Sequence, residues 1–243
     1  MDSQVLKPTI DNHRLRIGDG RVTLVTLEEI KQYREVGVLL RRADDHLGIV
    51  GYTEHGLRHA NLVASIAQNI LTYLHHADRR IQLAAIAGYL HDIGNVINRH
   101  VHGETGAILA LQLLLSMGMS VDEAATVAAA VGNHEEQTGE PVSDVSAAVI
   151  IADKSDVHRS RVRNPNPLEF DIHDRVNFAA VHSFVRVDES RMAIALELTI
   201  DESTGVGVMD YFEIFLERML ASRRAAKFLG CHFELVINNN RML

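Results

Sequence analysis

Apolar residues recur with helical spacing through much of the chain up to about residue 161. The clearest stripe consists of Val63, Ile66, Ala67, Ile70, Leu71 and Leu74. Capping-box strings at 26–29 and 120–123 indicate two helix starts. Together these features predict helices over 26–42, 54–74, 80–91, 103–117, 120–133 and 145–161.

The pattern changes at residues 164–167, because the sequence Asn-Pro-Asn-Pro cannot continue a helix. Beyond it, short runs of apolar residues predict strands over 182–187 and 192–200, a helix over 208–229 and a strand over 231–237. The expected fold is therefore mainly α, a helical bundle followed by a small α+β unit in the order β-β-α-β. The expected divisions are an N-terminal extension over 1–25, the bundle over 26–163, a linker over 164–170 and the C-terminal unit over 171–243.

Composition excludes several classes of protein. The 243 residues carry a formal charge of −8, which argues against a protein that binds double-stranded nucleic acid through a basic face. The N-terminal residues lack the basic and apolar segments of a secretion signal, and no apolar run approaches the roughly 20 residues of a membrane span. We therefore expect a cytoplasmic protein without membrane contact. Cys231 is the only cysteine, so a metal here would need nitrogen and oxygen ligands.

Histidine is the unusual component, with 14 residues in the chain. Nine of them lie between His46 and His134, within the region predicted to be helical. His59 continues an apolar stripe, and Asp153 lies one turn beyond Val149 on a face predicted to be buried. Burying a carboxylate is costly unless it is paired or binds a metal. Histidines and aspartates at helix ends and inner faces are what a bundle needs to build a metal site.

In order along the chain, His59, His91-Asp92 and Asp153 resemble the H…HD…D signature of the HD-domain metal-dependent phosphohydrolases. The resemblance covers about residues 50–162 and includes YLHDIGN at 89–95, HGETG at 102–106, NHE at 133–135 and IADK at 151–154. It implies that a first metal is held by His59, His91, Asp92 and Asp153. It further implies that His102 and His134 hold a second metal, with Asp92 bridging. The implied cofactors are two divalent transition-metal ions, with iron or manganese expected.

The sequence departs from the HD-GYP branch, which hydrolyses cyclic dinucleotides. Asn95 replaces a lysine, the GYP tripeptide is absent, and 133–135 reads NHE where relatives often have HHE. We therefore do not expect cyclic-dinucleotide hydrolysis, and we assign Asn95 to substrate binding. His55 replaces a glutamate one helical turn before His59, which leaves four interpretations: third-metal ligand, supporting residue, proton carrier or partly exposed polar cap.

Further polar residues follow Asp153. Lys154, Asp156 and Arg159 are candidate substrate contacts, because they lie beside or shortly after a presumed ligand. The guanidinium of Arg159 suits a phosphate oxygen. Arg161 and Arg163 are expected on a solvated helix face. The predicted catalytic residues are Asp92, His55 and Arg159.

The leading hypothesis is a phosphohydrolase that cleaves a small phosphomonoester or phosphodiester through attack by metal-bound hydroxide, with a nucleotide as a candidate substrate. One alternative is a di-iron oxygenase on the same scaffold. Another is a sensor module whose metal site has no catalytic role. The C-terminal unit carries no visible catalytic motif, so we expect it to pack on its own sheet or to mediate homo-oligomer formation.

Overall fold

A computed structural model describes residues 14–17, 20–164 and 172–242. It begins with a hairpin of β1 (Arg14–Ile17) and β2 (Gly20–Thr23), within the predicted N-terminal extension. The helices that follow are α1 (Leu27–Gln32), α2 (Arg34–Ile49), α3 (Leu57–Tyr73), α4 (Asp78–Leu90), α5 (His102–Ser116), α6 (Val121–Gly132) and α7 (Asp144–Lys154). A short 3-10 turn (Ile93–Val96) follows α4.

Two predicted helix boundaries were wrong. The helix expected over 26–42 begins with the predicted capping box at Thr26, but Tyr33 is extended, with φ −72° and ψ 114°, and divides it into α1 and α2. The helix expected over 145–161 ends at Lys154, and residues 155–158 form a loop before a 3-10 turn (Arg159–Arg161). This early end changes the direction of every polar side chain after Asp153.

The centre of the bundle is formed by α4 and α7. All residues of α4 from Leu83 to Leu90 are buried, as are all residues of α7 from Val145 to Lys154. Such burial on every face is the property of a helix surrounded by other elements. A Cβ atom on Gly88 would lie 3.0 Å from the Ala64 backbone, so glycine allows α4 to approach α3 closely.

Gly94 allows a second close approach, between the turn that follows α4 and the start of α5. A Cβ atom on Gly94 would overlap the carbonyl oxygen of His102 and crowd the nitrogen of Gly106. The φ angle of Gly94 is not positive, so no unusual backbone conformation demands glycine there. The packing instead requires a residue without a Cβ atom. The turn after His91-Asp92 therefore lies directly on the first turns of α5.

The C-terminal unit contains α8 (Ile172–Ala179), β3 (Ala180–Asp188), β4 (Ala193–Ile200), α9 (Val208–Phe228), β5 (His232–Ile237) and β6 (Asn240–Arg241). Its sheet has the order β3-β4-β5-β6; β4 and β5 are parallel and the other neighbours are antiparallel. The sequence analysis missed α8, so the β-β-α-β order is preceded by a helix. The mainly α fold with a small α+β unit is confirmed.

The two parts of the protein are packed together, because α9 lies against α7. The predicted linker and unit boundaries stay predictions, since residues 165–171 lie outside the described residues. Among the helices that are described, none combines the length and the apolarity of a membrane span.

Candidate metal centre

The ends of five helices converge on one polar cluster in the core. His59 lies in the first turn of α3, and His91 is the C-cap of α4, with Asp92 next. Asp153 occupies the last turn of α7. His102 is the first residue of α5, and His134 follows the C-cap of α6. All six predicted ligands are thus brought together; each is at most 8% exposed.

One end of the cluster, which we call the inner group, consists of His59, His91 and Asp153. The Nε2 atoms of His59 and His91 are 3.1 Å apart. Asp153 Oδ1 lies 3.3 Å from the Nε2 of His59 and 3.6 Å from that of His91. Three ligand atoms of types that bind divalent transition metals therefore point at one small volume.

The other end, which we call the outer group, consists of His102, His134 and Glu135. The two imidazole Nε2 atoms are 3.0 Å apart, and Glu135 Oε1 lies 2.7 Å from that of His102. Glu135 was not among the predicted ligands. The signal for it was the string NHE at 133–135, which the sequence analysis read only as the loss of a histidine.

Asp92 connects the two groups. Its Oδ2 lies 3.3 Å from His91 Nε2, and its Oδ1 lies 3.4 Å from His102 Nε2. Each carboxylate oxygen thus faces a different group, which is the arrangement that a bridging ligand requires. Oδ2 is buried and has no hydrogen-bond partner among the described residues. A buried carboxylate oxygen left in this state is expensive unless a cation is bound to it.

The protonation of the imidazoles tests whether the cluster fits metal ions. The Nδ1 atoms of His91, His102 and His134 lie between 2.6 and 2.8 Å from backbone carbonyl oxygens. A carbonyl only accepts, so each Nδ1 carries a proton, and each Nε2 of a neutral ring offers a lone pair. The Nδ1 of His59 likewise faces a carboxylate oxygen of Asp156. Without a proton or a metal ion between them, the two Nε2 atoms of each pair would face each other lone pair to lone pair, which is unfavourable. The donor set fits divalent metal ions.

The charges around the cluster also favour the binding of a cation. Burial opposes a charge on His91, but Asp92 and Asp153 outweigh burial and raise the pKa of His91 to about 10. At the other end, burial and the positive charges nearby lower the pKa of His134 to about 3. The inner carboxylates therefore attract a cation strongly, whereas His134 keeps its lone pair at neutral pH.

Asp156 lies behind the inner group and not at its mouth. It is 1% exposed, and its Oδ2 accepts from His59 Nδ1 at 2.7 Å and from Arg58 Nη2 at 2.8 Å. Its neighbour Arg161 is 2% exposed and donates to the Asp156 and Glu54 carbonyls, so the expected solvated face was wrong for Arg161. Arg58 Nη1 also donates to Asp156 Oδ1, at 3.3 Å. With both oxygens engaged, Asp156 orients His59 and is not available to a substrate.

Two further predicted substrate contacts also touch the ligands. Asn95 donates to Asp92 Oδ1 at 2.7 Å and is 3% exposed. Lys154 is equally buried, and its Nζ lies 2.6 Å from Asp153 Oδ2 and 2.5 Å from Glu136 Oε2. Both side chains hold the acids of the centre in place, so any contact with substrate would require their release.

The two remaining predicted site residues are Arg159 and His55, and only His55 lies beside the predicted metal ligands. Arg159 stacks on Phe178 and pairs with Asp201 at 3.7 Å, which directs it toward the C-terminal unit and away from the metal ligands. His55 precedes α3, yet its ring centroid is 5.4 Å from that of His59. Since His55 is 7% exposed, the interpretation as a partly exposed cap was wrong. Burial, together with Arg161, holds the pKa of His55 well below its usual value.

A cavity of about 580 Å³ adjoins the cluster. The bundle side of its lining includes His55, Arg99 and Glu135, while Phe215 and Arg218 come from α9. Arg99 donates to His102 Nε2 at 3.1 Å and lies 3.6 Å from Glu135 Oε1. The sequence analysis missed Arg99 and Arg218, because neither belongs to a local motif.

A known protein family matches the part of the chain that holds this cluster. The HD domain family matches residues 52–158, a range that contains all six predicted ligands and Glu135. This part of the chain is an HD domain. The recognition made from its motifs is confirmed, whereas the assignment of individual ligands stays a prediction.

The chain is also similar to individual proteins. It is 26% identical over 203 residues to the uncharacterized protein MJ1020 of Methanocaldococcus jannaschii, covering 74% of this chain and 77% of that protein. It is also similar to the crystal structure of a predicted HD superfamily hydrolase from an uncultured Thermotogales bacterium. That likeness has 26% identity and a TM-score of 0.42, and covers 55% of this chain and 75% of the other.

Proposed function

We propose that this HD-domain protein is a metal-dependent phosphohydrolase that cleaves a small phosphate ester. The observation that carries the proposal is the pair of facing imidazoles at each oxygen of Asp92, with Nε2 separations of 3.1 and 3.0 Å. Divalent cations bound there would supply Lewis-acid stabilisation to phosphoryl oxygens and would acidify a nearby water molecule.

The residues of the chain contribute position and charge. Asp92 sets the separation of the two groups, because one of its oxygens faces each of them. Arg99 lines the cavity with a side chain that is 24% exposed, and its guanidinium can donate to two non-bridging phosphoryl oxygens in bidentate fashion. This role replaces the one assigned from sequence to Arg159.

His55 is the candidate proton carrier of the centre. Its Nδ1 donates to the Thr53 carbonyl oxygen at 2.7 Å, which leaves Nε2 as an acceptor, and the residue lines the cavity. An acceptor in this position can receive a proton from water as it attacks phosphorus, or return one to the leaving oxygen.

The test is release of inorganic phosphate from a panel of phosphomonoesters and phosphodiesters by protein loaded with manganese or iron. We expect release by the wild type and none above background by Asp92→Ala. His46→Ala, a change at an exposed histidine on α2, is the matched control and should be fully active. Equal release by Asp92→Ala would contradict the proposal, as would substrate-dependent oxygen uptake without phosphate release.

A further inference from the structure

The cavity beside the metal centre has a wall that lies outside the HD-domain match at 52–158. This wall, which we call the C-terminal wall, includes Asn177 of α8 and Phe215 and Arg218 of α9. Since the opposite side carries Arg99 and Glu135, the cavity is completed only when the C-terminal unit packs on the bundle.

Arg218 has hydrogen-bonding capacity to spare. Its guanidinium lies 4.8 Å from the centre of the Phe215 ring, and its side chain is 20% exposed. Within the described part of the chain, its nearest carboxylate oxygen is Glu136 Oε1 at 3.8 Å, which is too long for a hydrogen bond. The other oxygen of Glu136 is already bound by Lys154. The planar donors of Arg218 are therefore suited to an anion that enters the cavity.

Asn177 supplies an independent observation. It is 4% exposed, and its Nδ2 donates to the His173 carbonyl oxygen at 2.9 Å, which fixes the orientation of the amide. Its Oδ1 is buried and has no hydrogen-bond partner among the residues described. An unsatisfied buried acceptor is costly, so a ligand hydroxyl that reaches Oδ1 after a small shift of the side chain toward the cavity gains affinity.

The acids that line the cavity do not cancel this preference. Glu135 is held by His102 at 2.7 Å, and Glu136 is held by Lys154 at 2.5 Å. Asp174 has partners of its own, and Glu104 is exposed on α5. An arginine and an amide oxygen on one wall therefore offer recognition of a negative charge beside a hydroxyl.

We propose that the C-terminal wall is the leaving-group subsite of this centre, and that it selects a hydroxylated phosphate ester with a second anionic group. Arg218 binds the second anion, and Asn177 Oδ1 accepts from the hydroxyl. This proposal rests on the proposed phosphohydrolase function, since it assigns the metal centre to the reacting phosphate and the wall to the rest of the substrate.

Equilibrium binding to the metal-loaded protein tests it, by calorimetry with two probes. Phosphoglycerate carries a carboxylate that glycerol phosphate lacks, and both carry a hydroxyl. We expect the wild type to bind phosphoglycerate more tightly. Arg218→Gln should weaken phosphoglycerate binding about 10-fold and leave glycerol phosphate unchanged. Asn177→Ala should weaken both probes several-fold.

Two control variants keep the result interpretable. Arg224→Gln alters another arginine of α9, which donates to the Glu136 carbonyl oxygen at 3.2 Å, and should bind both probes as the wild type does. Arg218→Lys keeps the charge and should retain most of the preference for phosphoglycerate. Unchanged phosphoglycerate affinity in Arg218→Gln would overturn the proposal, as would a wild type without preference for that probe. Failure of the phosphohydrolase function would be seen separately, as absence of phosphate release from the ester panel.

Discussion

The inner and outer groups contain the same kinds of ligand but differ in what lies behind them. In the inner group, the far nitrogen of His59 donates to the carboxylate of Asp156, which Arg58 and Arg161 hold in turn. In the outer group, the far nitrogens of His102 and His134 donate to neutral backbone carbonyls. A cation of the protein contacts each group, but at different atoms. Lys154 contacts Asp153 Oδ2, whereas Oδ1 is the oxygen that faces His59. Arg99 contacts the ligand atom itself, at 3.1 Å from His102 Nε2.

This difference predicts unequal affinities. A carboxylate behind an imidazole makes it a more basic ligand, whereas a guanidinium beside one competes for its lone pair and repels a second cation. We therefore expect the inner group to bind its ion more tightly. The two groups therefore share the same types of ligand but differ in the charges that surround them.

The largest expected effect is the loss of metal when a histidine is removed from one group or the other. His59→Ala removes an inner ligand and should abolish retention of the tightly held ion together with phosphate release. His102→Ala should keep about one ion per chain and lose the more weakly held one. Elemental analysis after desalting measures both. Loss of all metal in His102→Ala with retention of one ion in His59→Ala would reverse the ranking.

Asp156→Asn sharpens the comparison by making the support of the inner group more like that of the outer group. The substitution removes the charge behind His59, and we expect the affinity for the tighter ion to fall about 10- to 100-fold. Chelator competition measures the change. Glu54→Gln is the matched control, because Glu54 also pairs with Arg58, at 2.7 Å, but is not the partner of His59. Equal loss in the two variants would assign the effect to Arg58.

Arg99→Ala should act in the opposite direction and only on the outer group. Without the guanidinium, the lone pair of His102 Nε2 has one competitor fewer, and the affinity for the weaker ion should rise about 5-fold, or roughly 1 kcal/mol. Calorimetric titration with manganese resolves the second binding step. Arg42→Ala changes an exposed arginine of α2 and should have no effect. A weaker second step in Arg99→Ala would make Arg99 a support of the site.

The sequence could predict features that depend on neighbouring residues, but not those that depend on contacts between residues far apart along the chain. Most helices of the bundle were predicted close to where they lie, and the six predicted ligands come together, because helical period and motif spacing are short-range properties. The assignment of those six residues as ligands stays a prediction. Arg161 was misplaced because its partner, the Glu54 carbonyl oxygen, lies 107 residues away along the chain. Arg99 and Arg218 were missed because only packing turns them toward the cavity. The signal for Glu135 was present but was attributed to its neighbour.

The wrong helix boundaries have a similar cause. Residues 155–161 contain no proline or glycine, so nothing local ends α7 at Lys154. The chain leaves the helix where Asp156 meets Arg58 and His59, and these contacts are about a hundred residues distant in sequence. The support of the inner group was therefore hidden from any prediction that extends a helix by its own pattern.

The smallest expected effect concerns the far ends of the helices that carry the inner ligands. Asp144 opens α7 and accepts from Arg80 of α4, so this pair clamps the helices that carry Asp153 and His91. Burial opposes the charge of Asp144, but the hydrogen bonds from Arg80, the Val145 amide and His76, together with the charge of Arg80, outweigh burial and hold the pKa of the carboxyl below its usual value. Asp144→Asn should therefore lower the free energy of unfolding of the metal-free protein at pH 7 by about 1 kcal/mol.

The pH dependence of this difference in stability distinguishes the Asp144–Arg80 ion pair from packing between the two helices. A carboxyl whose pKa is depressed in the folded state stabilises above the unfolded value of 3.8, and that stabilisation disappears as the pH falls through the folded value. Denaturant titrations should therefore show wild type and Asp144→Asn converging as the pH drops below that value. Asp45→Asn breaks an exposed pair with Arg42 at 3.7 Å and should differ little from wild type at either pH. A deficit in Asp144→Asn that persists in acid would mean that the two helices are held together by packing alone.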